Sequence, residues 1–178
     1  MSPASLWLTG RCFLRVFAIV GAFGLCFLAV DASTRTGSPD DTSSPIFGVK
    51  VPDGYRQWEL IAVSQGNSAL NSIHGNEVSL KAYRDGKLPF PNGSILVKLS
   101  WERKPLAGFD GAFVTGAPTM VQVMVKDSKR YADTGGWGFG RFIDGKPADV
   151  AQHKTCFACH SRNMDVREHD FVFTRRAP

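Results

Sequence analysis

Five residues near the end of the chain constrain it most: Cys156-Phe157-Ala158-Cys159-His160. C-x-x-C-H is the attachment signature of a c-type haem. Two thiols at this spacing form thioethers with the two vinyl groups along one edge of the macrocycle. The histidine that follows is then held beneath the iron as its proximal ligand. Two other uses of the same residues fit less well. A thioredoxin-like dithiol normally sits early in a β-α-β pattern, whereas only 18 residues follow His160 here. A structural zinc site wants four Cys/His ligands, and a second cysteine pair is missing. The other two cysteines, Cys12 and Cys26, both lie in a segment with the marks of a removable leader. The expectation is therefore haem c, bound covalently through Cys156 and Cys159, with His160 as the metal ligand.

The leader is read from Arg11 and Arg15, which precede an uncharged apolar run from Val16 to Val30 and the small-residue sites of Val30-Asp31-Ala32. Fifteen helical residues cover roughly 22 Å, short of the ~30 Å hydrocarbon core. Cleavage after Ala32 is the preferred reading, and an uncleaved anchor that also takes in Cys12, Phe13 and Leu14 is the alternative. Leu25 is too large beside Cys26 for a lipobox. Export to the periplasm fits a covalent haem, since thioether attachment takes place outside the cytoplasm. Residues 33–45 are rich in Ser, Thr, Gly, Pro and Asp and read as a flexible tether. One folded domain is expected over 46–178, long enough to bury a sizeable core. The formal charge of +5 falls to +4 once Arg11, Arg15 and Asp31 are removed. That excess is scattered, with no basic stripe interleaved with aromatics, which excludes nucleic acid as a partner.

Within the domain, Val51 to Leu60 opens with turn chemistry and continues as a short helical run sharing a face through Tyr55, Trp58 and Ile61, with a strand following over Leu60–Val63. A polar loop then leads to Asn76, the N-cap of a helix through Val78, Leu80 and Tyr83 that Asp85-Gly86 stops. The clearest strand is Ser94–Trp101: Ile95, Val97, Leu99 and Trp101 point one way, Leu96, Lys98 and Ser100 the other. A loop over Pro105–Pro118 precedes a second strand, Thr119–Lys126, with Val121, Val123 and Val125 on one face and Met120, Gln122 and Met124 on the other. The glycine-spaced aromatic run Gly135–Phe142 reads as a third strand, its glycines admitting a large planar object or another backbone. A short helix over Pro147–His153 delivers the haem motif, and Phe171–Thr174 is a last strand.

An ordinary electron-transfer cytochrome c has its motif early and a methionine ligand far downstream. Here the order is reversed. Met164 and His169 follow His160 too closely to reach the opposite side of the iron. The upstream candidates are His74, His153, Met120 and Met124, each more commonly a packing or surface residue than a ligand. The better inference is an open distal position, which implies small-molecule chemistry or binding.

Several stretches together resemble the cytochrome P-460 family and its relative cytochrome c′-beta. They are Tyr55-Arg56-x-Trp58-Glu59, Pro91 to Lys98, Val125-Lys126-Asp127-Ser128-x-Arg130-Tyr131, Gly135 to Phe139, the haem motif, and Asp170-x-Val172-Phe173-Thr174. The resemblance implies an α+β fold: a predominantly antiparallel β-sheet packed with a few helices, usually a homodimer in the periplasm. It also implies a five-coordinate haem. Members of the first kind carry a lysine bonded to the macrocycle and oxidise hydroxylamine; those of the second kind lack that bond and bind gases such as nitric oxide.

Lys98 falls at the cross-linking position, although a lysine there can equally be an edge charge that snorkels to water. The family's distal acidic residue falls at Gln122, which can hydrogen-bond a ligand but cannot take its proton. Three readings result. One is an enzyme acting on hydroxylamine or a similar small nitrogen compound, with Lys98 and Gln122 as catalytic residues and a small cytochrome c as redox partner. The second is a gas-binding protein without turnover, and the third is an electron carrier, weakened by the absence of a downstream methionine ligand.

Overall fold

Strong alternation in the middle of the chain builds one antiparallel meander. Its strands are β1 (Glu59–Gln65), β2 (Ala69–Gly75), β3 (Ile95–Pro105), β4 (Phe113–Lys126), β5 (Trp137–Ile143) and the short β6 (Lys146–Pro147), each hydrogen-bonded to its neighbour in sequence. The helices are α1 (Glu77–Arg84), α2 (Val150–His160) and α3 (Met164–Glu168). The fold is α+β, as expected. The computed structural model describes residues 42–66 and 68–177. The leader expected over 1–32 and most of the tether over 33–45 lie outside those residues. The packed chain starts slightly before Ile46, because Ser44 is buried and its hydroxyl donates to the Phe139 carbonyl at 2.9 Å.

Both faces of the sheet are covered, which is why β3 and β4 carry apolar side chains on each side. Val97 and Val123 on one face pack with Phe142, Val49 and Tyr131, under the segment that runs from Ser44 into β1. On the other face Ile73, Leu96 and Phe139 pack with Leu80, Phe90, Cys156 and Val172 from the helices and the C-terminal segment. Helix α1 is anchored at its start by Asn76. The side chain accepts from Ser79 N (3.1 Å) and from Ile95 N (3.0 Å) and donates to Gly93 O (2.8 Å), so one cap fixes the helix against the head of β3.

Four local expectations change. The run after Tyr55 makes only a single 3-10 turn, Tyr55–Gln57, before β1 begins at Glu59. Residues 69–75, between the polar loop at Gly66-Asn67 and the Asn76 cap and without a strand expected there, form β2. Their polar side chains hide a strand whose ladder is supported by Asn71 bonding Ser64 and Ser100, and His74 bonding Ser72. The loop expected over Pro105–Pro118 is a short turn, since β4 already pairs with β3 from Phe113 onwards. Phe171–Thr174 is not a strand. Asp170 and Phe171 adopt φ of 53° and 64°, and that left-handed turn throws the chain off any sheet edge.

The glycines of β5 also serve a different purpose from the one expected. Gly138 is paired with Val125 and so points to the face away from the helices. A methyl group added there would overlap the Tyr131 ring. The missing side chain makes room for one of the protein's own aromatics, whose hydroxyl donates to Phe47 O at 3.0 Å. Gly138→Ala should lower stability by about 1–3 kcal/mol, the usual cost of overpacking. A urea or thermal denaturation series measures it, and an unchanged midpoint would mean that Tyr131 is free to move aside.

Candidate functional site

Helix α2 does more than deliver the C-x-x-C-H motif: it carries it. Asp149 caps its start, accepting from Gln152 N at 2.8 Å. Cys156, Cys159 and His160 then stand at i, i+3 and i+4 on one face of its last turn. Cys156 is buried and Cys159 exposed. The His160 ring lies between Phe139 and Phe173, with centroid distances of 5.1 and 4.7 Å. Its Nδ1–H donates to the Phe171 carbonyl at 2.7 Å. A carbonyl only accepts, so this bond fixes the tautomer and leaves the Nε2 lone pair for a metal. Burial holds the imidazole below its ordinary pKa, opposed by that hydrogen bond and reinforced by the Lys98 charge.

The Phe171 carbonyl is aimed by the left-handed pair Asp170–Phe171, an arrangement costing about 1–3 kcal/mol per residue that its surroundings must hold. The Asp170 carboxylate accepts from Lys126 Nζ at 2.6 and 2.7 Å and from Phe90 N at 2.8 Å. Its backbone carbonyl accepts from Trp137 Nε1 at 2.7 Å. Lys126 and Asp170 are both buried, and Lys126 also donates to Gly135 O at 3.0 Å. The His160 ring is therefore oriented by an ion pair reaching from β4 to the segment after α3.

Across from α2 stands the sheet. The register pairs Ile73 with Lys98, Lys98 with Gln122 and Gln122 with Arg141, a row running straight across four strands. Directly paired residues share a face, and all four line one cavity of about 620 Å³ together with Cys156, Cys159 and His160. Leu96, Met120, Met124 and Phe139 supply apolar wall. The expected faces, Leu96, Lys98 and Ser100 on one strand and Met120, Gln122 and Met124 on the other, do come together, and the register pairs Leu96 with Met124, Lys98 with Gln122 and Ser100 with Met120. Burial lowers the Lys98 pKa, and the Arg141 charge lowers it further, against a smaller opposing effect of Cys159. The neutral amine is thereby reached at a lower pH than for a surface lysine. Burial raises the Cys156 thiol.

Arg141 joins the two expected residues, Lys98 and Gln122, as a third strong polar group of this wall. Its place was readable in principle, since Arg141 is the one charged residue in the glycine-aromatic run, two residues beyond Phe139. A wider groove of about 1540 Å³ lies along the other face of α2, lined by Lys154, Phe157, Ala158 and Ser161. Its walls hold neither cysteine of the motif nor His160, so the chemistry belongs to the smaller cavity.

Two sixth-ligand candidates are already committed. His153 is fully buried, donating from Nδ1 to Asp149 O (2.9 Å) and accepting at Nε2 from Arg141 N (3.1 Å). His74 bonds Trp58 O at 2.9 Å and Ser72 Oγ at 3.0 Å, on the face of Val97. Met120 and Met124 remain on the cavity wall.

The family model for cytochrome P460 matches residues 52–174. The chain belongs to the cytochrome P460 family. No curated protein matches it at a significant level. Membership in the cytochrome P460 family implies a haem cofactor, and the residues present fit one. The cavity falls within the roughly 300–1,000 Å³ of cofactor and ligand sites. One wall presents two thiols and an imidazole with a free lone pair, the other apolar surface and three polar side chains.

Asp170→Ala should lower the stability of this cytochrome P460 family member by about 3–5 kcal/mol, because it strands a buried lysine. Adding Lys126→Met should restore much of that loss. Urea denaturation of the single and double variants gives the coupling, and simple additivity would mean that the pair does not act as a unit.

Proposed function

We propose that this is an exported mono-haem c-type cytochrome that oxidises hydroxylamine or a similar small nitrogen compound at an iron position left open by the protein. Cys156 and Cys159 would hold the haem as thioethers and His160 would ligate its iron. When bound, the group supplies a metal that takes a small ligand and accepts electrons, which leave to a redox partner such as a small cytochrome c. The observation that carries the reading is the Lys98–Gln122 pair, facing the same cavity as the C-x-x-C-H motif.

The roles of the chain's own residues follow from their chemistry. Lys98 would be the residue placed for an added bond to the macrocycle, in which its nitrogen replaces a ring hydrogen. That exchange is a two-electron oxidation needing an external oxidant of the peroxide class, and the amine must be neutral to attack. Neutrality increases with pH, and a pKa depressed by burial and by Arg141 makes the neutral form available at lower pH than for a surface lysine. Gln122 orients the substrate through its amide. Phe139 and Phe173, both packed against the His160 ring, would limit the access of water to its Nε2. An open distal position is supported by His74 and His153 having both nitrogens in use. Export to the periplasm and assembly as a homodimer rest on the leader-like start and on the family resemblance.

A second reading, gas binding without turnover, is favoured by one observation: no Asp or Glu is among the described residues lining the cavity, so no carboxylate base stands beside the ligand.

Haem staining after denaturing electrophoresis of the exported protein should give a coloured band that Cys156→Ala and Cys159→Ala together abolish. A colourless wild-type band would overturn covalent attachment. The ferrous protein should be high-spin and take up nitric oxide. Peptide mapping should find a haem adduct on residues 94–101 that Lys98→Arg removes while the thioethers persist; its absence from the unaltered protein would transfer the assignment to gas binding. Gln122→Glu should raise hydroxylamine turnover by roughly tenfold or more, since a positioned base contributes about 10²–10⁴-fold. An unchanged rate would mean that residue 122 does not touch the substrate.

A further inference from the structure

Three consecutive polar members of the cavity row have hydrogen-bonding capacity to spare. The Lys98 side chain makes no hydrogen bond or ion pair among the described residues, and the Gln122 amide makes none either. Arg141 makes a single side-chain hydrogen bond, Nη1 to Gln152 Oε1 at 3.2 Å, and its Nε is buried without a partner. A guanidinium carries five donors, so most of this one's capacity is unspent. A fixed cation, Arg141, and the Lys98 amine, which gains a proton most readily beside an anion, thus flank an amide on an apolar wall, and no carboxylate lines the cavity. Cations withdrawn from water without a counter-charge are costly. The site is built for an anion to complete.

The haem's own propionates are poorly placed to be that anion for Arg141. Its guanidinium is held by Gln152, one turn before Cys156 on α2, and the Cys156 thiol itself contacts the Gln152 carbonyl at 3.7 Å. Arg141 therefore stands at the cysteine end of the cavity. Thioethers from Cys156 and Cys159 would take the vinyl edge of a haem, which would leave its propionates on the edge away from Arg141.

We propose that Lys98, Gln122 and Arg141 form a subsite for a small oxyanion, so that the ligand this cavity prefers is anionic rather than neutral. Strands two apart are separated by about 9–10 Å, a span that a three- or four-atom anion fills with Gln122 beneath it. The planar fork of Arg141 suits two oxygens at once. The inference rests on the haem reading and names the charge of its ligand. It holds whether or not Lys98 is bonded to the macrocycle, because Arg141 keeps its charge in either case.

Nitrite titrated into the ferric holoprotein, followed by absorption, tests it beside nitric oxide uptake by the ferrous form. Arg141→Met should weaken nitrite binding by roughly 10- to 100-fold, the range of a hydrogen bond to a charged group, and leave nitric oxide within about twofold. Arg141→Lys should recover part of the nitrite affinity. Equal weakening of both ligands, or none, would overturn the anion site. The unaltered protein gives a check that needs no variant. Formate should compete with nitrite, whereas formamide, similar in shape but neutral, should not; equal competition sinks the proposal. The haem-stained gel separates the two readings: a stained protein that shows no preference for anions removes the subsite alone, and a protein without haem removes both.

Discussion

The Lys126–Asp170 ion pair is the interaction on which the site depends. A buried pair contributes little net stability over an apolar replacement, because desolvation offsets most of the attraction. Its value here is positional. It brings the segment after α3 down onto β4 and β5, where Trp137 Nε1 and Phe90 N add two further bonds to the same aspartate. Only in that position do Asp170 and Phe171 hold their left-handed backbone, and only then does the Phe171 carbonyl meet His160. Remove the pair and the imidazole loses what fixes its tautomer and its plane.

The sheet and the helix divide the work. Helix α2 gathers the groups that can bond a cofactor, because a helix brings positions i, i+3 and i+4 together. The sheet supplies the facing surface, because antiparallel pairing lines up one side chain from each strand in a straight row. Ile73, Lys98, Gln122 and Arg141 come from four separate stretches of sequence, and register alone makes them neighbours. Moving any strand by one residue would turn its member of the row to the opposite face, where Val97, Val123 and Phe142 pack.

Much of this was legible in the chain. The alternation in 94–101 and 119–126 gave both strands and the correct inward faces, since one polar residue among apolar neighbours marks a wall that meets a cavity. Asn76 announced α1 through ordinary capping chemistry. What escaped has physical reasons. Residues 69–75 lack β-branched alternation because their polar side chains bond one another across strands, a pattern that looks like a loop until the partners are known. Phe171–Thr174 has the composition of a strand, but the turn before it is imposed by a distant lysine. The glycines of β5 imply close approach without saying by what; Gly138 makes room for Tyr131, and Gly140 for Phe142 and Val49. Arg141 carries no local signal beyond its charge; its role emerges only when β4 and β5 are paired.

The strictly sequential order of the sheet bears on how the molecule assembles. Strands that pair with their neighbours in sequence close short loops at small entropic cost, whereas contacts across most of the chain are the slow and expensive ones. Those expensive contacts belong to the two ends: Ser44 to Phe139, Tyr131 to Phe47, Phe90 to Asp170 and Tyr83 to Thr174, spanning 80 to 95 residues. The meander can thus zip up hairpin by hairpin, with the ends docking afterwards, one on each face. The cavity gains its C-terminal wall, and His160 its acceptor, only when the C-terminal segment docks, so a chain with its sheet alone formed would leave the C-x-x-C-H helix unwalled.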